Sequence, residues 1–145
     1  MDTLAANLET EKALVRRFID EIFVAGDPAT VDELIAPHAV FHTYPFGDDP
    51  RSGMRAAMER ISTALSDVVF TVHELIAEGD LVCARLTTSA TQTGPFMGMP
   101  ATGRHYEIEE LHLFRVRDGQ VVEHWHHFDQ MGLMQQLGAA QSGSS

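Results

Sequence analysis

The sequence predicts an α+β domain: a curved, mostly antiparallel sheet wrapped around N-terminal helices, giving a cone-shaped α+β barrel. Three observations lead there. Helical periodicity is confined to the stretch before Leu65, β-patterned segments run from Val68 to the end of the histidine-rich segment, and Asp118-Gly119 separates two of them. Helices first and strands afterwards argue for segregated layers rather than a parallel α/β sheet. Asp-Gly between β-patterned runs is a strong hairpin signal, because both central residues of a type I′ turn need φ > 0. A sheet curved over helices leaves a cavity between the layers, which is a natural place for a site.

The elements follow in order. Met1 to Leu8 reads as a mobile lead. A helix is expected over about Asn7 to Ala25, because Leu14, Phe18 and Ile22 recur four apart with Val15 and Ile19 beside them. Asn7 or Thr10 could cap it, and Gly26 stands where a left-handed cap belongs. Asp27-Pro28 restarts the chain as a second, short helix that stops by Pro37. Val40 to Thr43 reads as a short strand, and Tyr44 to Pro50 as turns. A third helix is expected from about Ser52 to Leu65, with Met54, Met58 and Ile61 on one side. Val68 to Ala77 alternates as a long strand with one slip, and Glu78-Gly79-Asp80 turns it back. Leu81 to Thr91 is a second long strand, rich in Val, Leu and Thr. A Gly/Pro/Met-rich loop from Gln92 to Gly103 leads into the hairpin. Gly132 to Leu137 closes the fold as an apolar turn or strand end. One domain over residues 1–145 is expected, with an ordered core at about 8–138 and a flexible tail at 139–145.

The totals exclude several classes. With 145 residues, 44% apolar and 21% charged, the chain has an ordinary globular composition. A formal net charge of −11 repels phosphate backbones and anionic headgroups, so neither nucleic acid nor membrane is expected as a partner. The single Cys83 cannot form an internal disulfide and reads as a small buried hydrophobe. No apolar run approaches the ~20 residues that span a bilayer, the N-terminus does not resemble a signal peptide, and the expected location is cytoplasmic.

The ionisable groups gather on the hairpin. On its first arm Tyr106, Ile108, Glu110, His112 and Phe114 share one face. On its second arm Val121, Glu123, Trp125, His127 and Asp129 alternate with Val122, His124, His126 and Phe128. Periodicity does not decide which set points inward, since a single bulge exchanges them. Asp129 lies among Phe, Trp and Met side chains, where lost solvation would raise its pKa toward a useful base. The alternative is that it caps the turn that follows. His112 is a candidate donor to a developing oxyanion, and Glu110 could orient it. His124 and His126, two apart on one strand, could bind a metal with Asp129 or His112 as third ligand, but no second pair of ligands at tight spacing supports it, so neither metal nor cofactor is expected. Phe96 and Met97 on the Gly-rich loop could lid the cavity, and His42, Tyr44 and Phe46 could stand at its mouth.

The string GPFMGMPATGR, the strand bearing His112, then FRVRDGQVVEHW, Asp129 and QQLG resembles the SnoaL-like polyketide cyclase family of the nuclear transport factor 2-like superfamily. The resemblance covers about residues 8 to 138. It implies a cone fold and ring closure by intramolecular aldol condensation of a polyketide ester, without metal or cofactor. It also implies Asp129 as general base and His112 as its assistant. His42 and Phe46 fall where the family lines its site, and Tyr44, Phe96, Met97, Glu110, Trp125 and His127 complete the expected binding set for a small, flat, hydrophobic substrate. Two other classes compete. A hydrolase or isomerase, such as an epoxide hydrolase, would need two carboxylates bridged by an arginine, for which Glu110, Asp129 and Arg104 or Arg85 are available. A non-catalytic ligand-binding module is the other. Apolar residues on both faces of the first arm, like the resemblance, suggest a homodimer or homotetramer.

Overall fold

The computed structural model describes residues 3–43 and 46–138. Helix α1 (Thr3–Arg17) runs without a break into a π-helical segment (Phe18–Val24), followed by α2 (Pro28–Leu34), β1 (Ile35–Phe41) and α3 (Pro50–Ala64). Then come β2 (Leu65–Glu78), β3 (Leu81–Gln92), β4 (His105–Arg117), β5 (Gln120–Phe128) and α4 (Gln130–Gln136). The five strands form one curved open sheet in the order β1-β5-β4-β3-β2. Only β1 and β5 run parallel; the other pairs are antiparallel. This is the α+β architecture expected, with the helices on the concave face. Among the described residues, no helix is long and apolar enough to cross a membrane.

Several expectations meet their physical cause here. Asp27 accepts from the Ala29 N–H at 2.9 Å and Gly26 takes φ +65°, so the break between the first two helices is as expected. Asp118 and Gly119 both have positive φ, 52° and 74°, as a type I′ turn requires. β2 slips against β3 at two places, Ser66/Val69 and Val72/Glu74. β1 is longer than expected, and it carries Pro37 because an edge strand tolerates a residue that cannot donate.

Four expectations are corrected. Helix α1 already includes Thr3, so residues 3–8 are not a mobile lead. Thr10 is no cap: its hydroxyl donates to the Ala6 carbonyl one turn back. Helix α3 begins at Pro50 rather than Ser52, because Asp49 accepts from both the N–H and the hydroxyl of Ser52. The stretch from Gly132 to Leu137 is helix as far as Gln136, forming most of α4, with Leu137 in the turn after it; Leu133 is buried. The expected tail, residues 139–145, lies outside the described residues, as does Tyr44.

Burial divides the interior in two. Val15, Phe18, Ile19 and Ile22 from the first helix pack on Leu86, Phe114 and Val121 of the sheet. A second cluster, with Tyr106, Ile108, Leu133 and Leu137, lies under α4. The cavity opens between them.

Candidate active site

The hairpin decides what enters the cavity, and a bulge decides the hairpin. Phe114 opposes His124 and Arg115 opposes Glu123, but Val116 opposes Val121, so Val122 is an extra residue on β5. Before it Val121 faces inward; after it His124, His126 and Phe128 do, while Trp125 and His127 face out. β4 keeps its alternation and sends Tyr106, Ile108, Glu110, His112 and Phe114 inward.

The resulting cavity is about 430 Å³. Its walls are mostly apolar: Phe23, Phe46 and Met54 from the helical side, Phe70 and Ile108 from the sheet, Phe96 and Met97 from the loop. The loop is tied to α3, since Thr93 and Gly94 both donate to the Ala64 carbonyl. A Cβ on Gly94 would stand 2.4 Å from the Thr63 carbonyl oxygen, so only glycine allows this approach. At the loop tip Phe96 and Met99 exchange two backbone hydrogen bonds of 3.0 Å around Met97 and Gly98.

Into these apolar walls the sheet places a connected polar cluster of Glu110, His112, His124 and His126, all less than a tenth exposed. His126 Nε2 lies 2.6 Å and His112 Nε2 3.1 Å from the same oxygen, Oε1 of Glu110. His112 Nδ1 lies 3.0 Å from His124 Nε2. Burial pushes the Glu110 carboxyl up, but the hydrogen bonds from His112 and His126 and the field of both rings outweigh it and hold the carboxyl well below its usual range. Burial lowers His112, against the upward pull of Glu110. Burial also lowers His124 well below the ordinary histidine value, and His112, His126 and His42 add to the effect. An ionised Glu110 only accepts, so both Nε2 atoms facing it carry hydrogens. A neutral His112 then keeps its lone pair on Nδ1 and accepts from the Nε2–H of His124. Proton donors therefore point in sequence toward the carboxylate. Oε2 of Glu110 has no hydrogen-bond partner among the described residues.

The Glu110, His112 and His126 ligand atoms lie within 4.8 Å of one another, close enough to ask whether they hold a metal. The His112 and His126 rings are stacked, 4.0 Å apart and 12° from parallel. Both Nε2 atoms already stand at hydrogen-bond distance from Oε1 of Glu110, 2.6 and 3.1 Å, and His112 is also bonded to His124. The donors fit a shared carboxylate better than a shared cation. His124 and His126 do face one way, but their rings are 6.2 Å apart and Asp129 is not beside them.

Of the residues expected at the site, Glu110, His112, Phe46, Phe96 and Met97 line the cavity. Asp129 does not. Its side chain is exposed and accepts from the Gly132 N–H at 2.9 Å as N-cap of α4. It borders a shallow depression on the outer face with His73, Arg85 and Glu109. The desolvated aspartate is thus corrected to a solvated cap. His112 also differs from expectation, because both its nitrogens are engaged within the cluster and neither is left to hold a substrate oxygen. His42, Trp125 and His127 are corrected as well. His42 stacks on Trp125 at 4.8 Å outside the cavity and meets Glu123 at 2.7 Å, and His127 is exposed. The two carboxylates and bridging arginine of the hydrolase reading are not assembled: neither Asp129, Arg85 nor Arg104 lines the cavity with Glu110, and Arg85 pairs with Glu74 and Glu109 on the outer face. Sequence reasoning left open whether His124 and His126 face the cavity, and it missed Phe23 altogether.

The family model for SnoaL-like polyketide cyclases matches residues 13–137 of this chain. Aklanonic acid methyl ester cyclase DnrD of Streptomyces peucetius is 32% identical over 137 residues, covering 90% of this chain and 92% of that protein. Among solved structures, TsrD from Streptomyces laurentii superposes with a TM-score of 0.81 at 34% identity, over 90% of this chain and 96% of that one. IdmH from Streptomyces antibioticus does so with a TM-score of 0.73 at 35% identity, over 88% and 98%.

Proposed function

The chain belongs to the SnoaL-like polyketide cyclase family and is a cyclase of that class, and from this premise we propose that it closes a ring in a flat, oxygenated, polyketide-derived substrate by acid–base catalysis centred on Glu110. One observation carries the assignment of the base. Glu110 is a buried carboxyl in a mostly apolar cavity, held below its usual range by His112 and His126 against the effect of burial, and both of its hydrogen bonds converge on one oxygen. Oε2 is left to take a proton. It removes one from a carbon next to a carbonyl, giving an enolate. The enolate carbon attacks a second carbonyl of the same molecule, and one C–C bond forms. The alkoxide so produced takes back the proton from the Glu110 carboxylic acid, so the enzyme ends as it began. His112 and His126 hold the carboxylate charged and aimed. The same hydrogen bonds weaken it as a base, which suits a carbon already acidified by two flanking carbonyls. Phe23, Phe46 and Phe96 supply flat apolar walls against which a polycycle is oriented.

The test uses aklanonic acid methyl ester, the substrate in the name of the Streptomyces peucetius relative. Glu110→Gln keeps the shape and loses the base, and turnover is expected to fall about 10²–10⁴-fold with substrate binding retained. Asp129→Asn is expected to stay within a few-fold of the parent. The opposite pattern would return the base to Asp129. Tight binding with no turnover by the unmodified protein would favour a ligand-binding module.

A further inference from the structure

We infer that Arg60 selects a substrate bearing a carboxylate on the edge that stays at the cavity mouth, away from the reacting end. The inference rests on the cavity being a site for flat polycycles, as argued above. Arg60 lies near the end of α3 and lines the cavity beside Ala57, Ile61 and Ala64 while remaining exposed, which places it at the mouth. The chain has 21 acidic residues and ten Lys and Arg, and seven of those ten are ion-paired. Arg60 has no carboxylate within ion-pair distance among the described residues. It is the only Lys or Arg lining the cavity among them.

The buried part of the cavity sets the orientation, because Glu110 is buried where Arg60 is exposed. Glu110 is ionised there, and a second negative charge beside it would be repelled. A substrate with an anionic group must therefore enter with its neutral, carbonyl-bearing end toward Glu110 and leave its charge at the mouth. A net charge of −11 would otherwise keep such a molecule away, so a local cation has a purpose at this entrance. One planar guanidinium matches one planar carboxylate through two parallel hydrogen bonds.

The experiment measures binding, so it does not depend on finding the true substrate. Anthraquinone-2-carboxylate and its methyl ester are titrated into the unmodified protein, Arg60→Met and Arg60→Lys by calorimetry. The unmodified protein is expected to bind the carboxylate roughly 2- to 5-fold more tightly than the ester. Arg60→Met should remove that preference by weakening the carboxylate alone, and Arg60→Lys should keep part of it. Raising salt should erode the preference in the unmodified protein and change nothing in Arg60→Met. Equal affinity for acid and ester in the unmodified protein, or a preference that survives Arg60→Met, overturns the inference and leaves the cavity reading standing. Failure of the unmodified protein to bind either probe overturns both.

Discussion

Two carboxylates near the end of the hairpin have opposite fates. Glu110 is buried beside two imidazoles, and Asp129 stands in water at the start of a helix. Sequence neighbours mislead here, since Asp129 follows Phe128 and Glu110 follows Glu109, yet Glu110 is the buried one. What separates them is direction. Asp129 comes where β5 ends and α4 begins, and an aspartate at that junction finds an unpaired helix N–H within reach. Asp129→Ala should therefore cost about 1 kcal/mol of stability through the lost cap, read as a lower urea midpoint with an unchanged slope. A stability equal to the parent's would mean that the cap contributes nothing. The residue types of the site were legible in the sequence, and so was the shared face of Glu110 and His112. The inward placement of His124 and His126 was not, because it depends on one extra residue, Val122, that leaves no mark in the alternation.

At the scale of elements the same limit recurs in the first helix. The four-residue recurrence of Leu14, Phe18 and Ile22 identified the helix and its buried side. It could not show that the helix widens after Arg17. There the Ala25 N–H reaches back five residues to the Asp20 carbonyl, and the slower rotation brings Phe18 and Phe23 onto one side, their rings 5.3 Å apart. In an α-helix residues five apart point in different directions. The π-helical turn thus delivers Phe23 to the cavity, where its ring lies 5.3 Å from His112 and 5.8 Å from Phe70. π-helical turns are uncommon and often mark functional positions. Phe23→Ala should destabilise the protein by about 2–3 kcal/mol, below the cost for a wholly buried ring because Phe23 is only partly covered. It should also let water reach His112. Burial is what lowers that imidazole, so its pKa should rise toward the ordinary value, measured by nitrogen-15 NMR of the ring. An unmoved His112 resonance across the titration would show that Phe23 does not shield it.

For the whole molecule, the buried histidines tie stability to pH. In the folded chain His112 and His124 are lowered by burial, His124 strongly. In the unfolded chain they titrate near the ordinary ~6.5. A group lowered in this way stays neutral in the native state while the unfolded state takes up a proton, so the unfolded state binds more protons as pH falls below about 6.5. Stability is then fully present above that pH and is lost progressively toward the lowered folded values. Glu110, His124 and His126 face His112, and Glu110 opposes its depression, so His124 carries more of the effect. The slope should approach about 1.4 kcal/mol per pH unit from His124 and rise toward twice that with His112. The carboxylates act later and in the same direction. Glu110 is held low, and Glu21 is held near 2 by Arg17 and Thr30, so both lose their contribution only as pH falls below the ordinary carboxylate range. Acid should therefore weaken the fold in two stages, the first in a range where surface carboxylates are still ionised. Urea midpoints at pH 8, 6.5, 5.5 and 4.5 would show it, and His124→Phe, which buries a ring of similar size without a titrating nitrogen, should flatten the first stage. A midpoint constant from pH 8 to pH 5 would mean that the cluster takes up protons without strain, and the neutral His112–His124 pair would have to be abandoned.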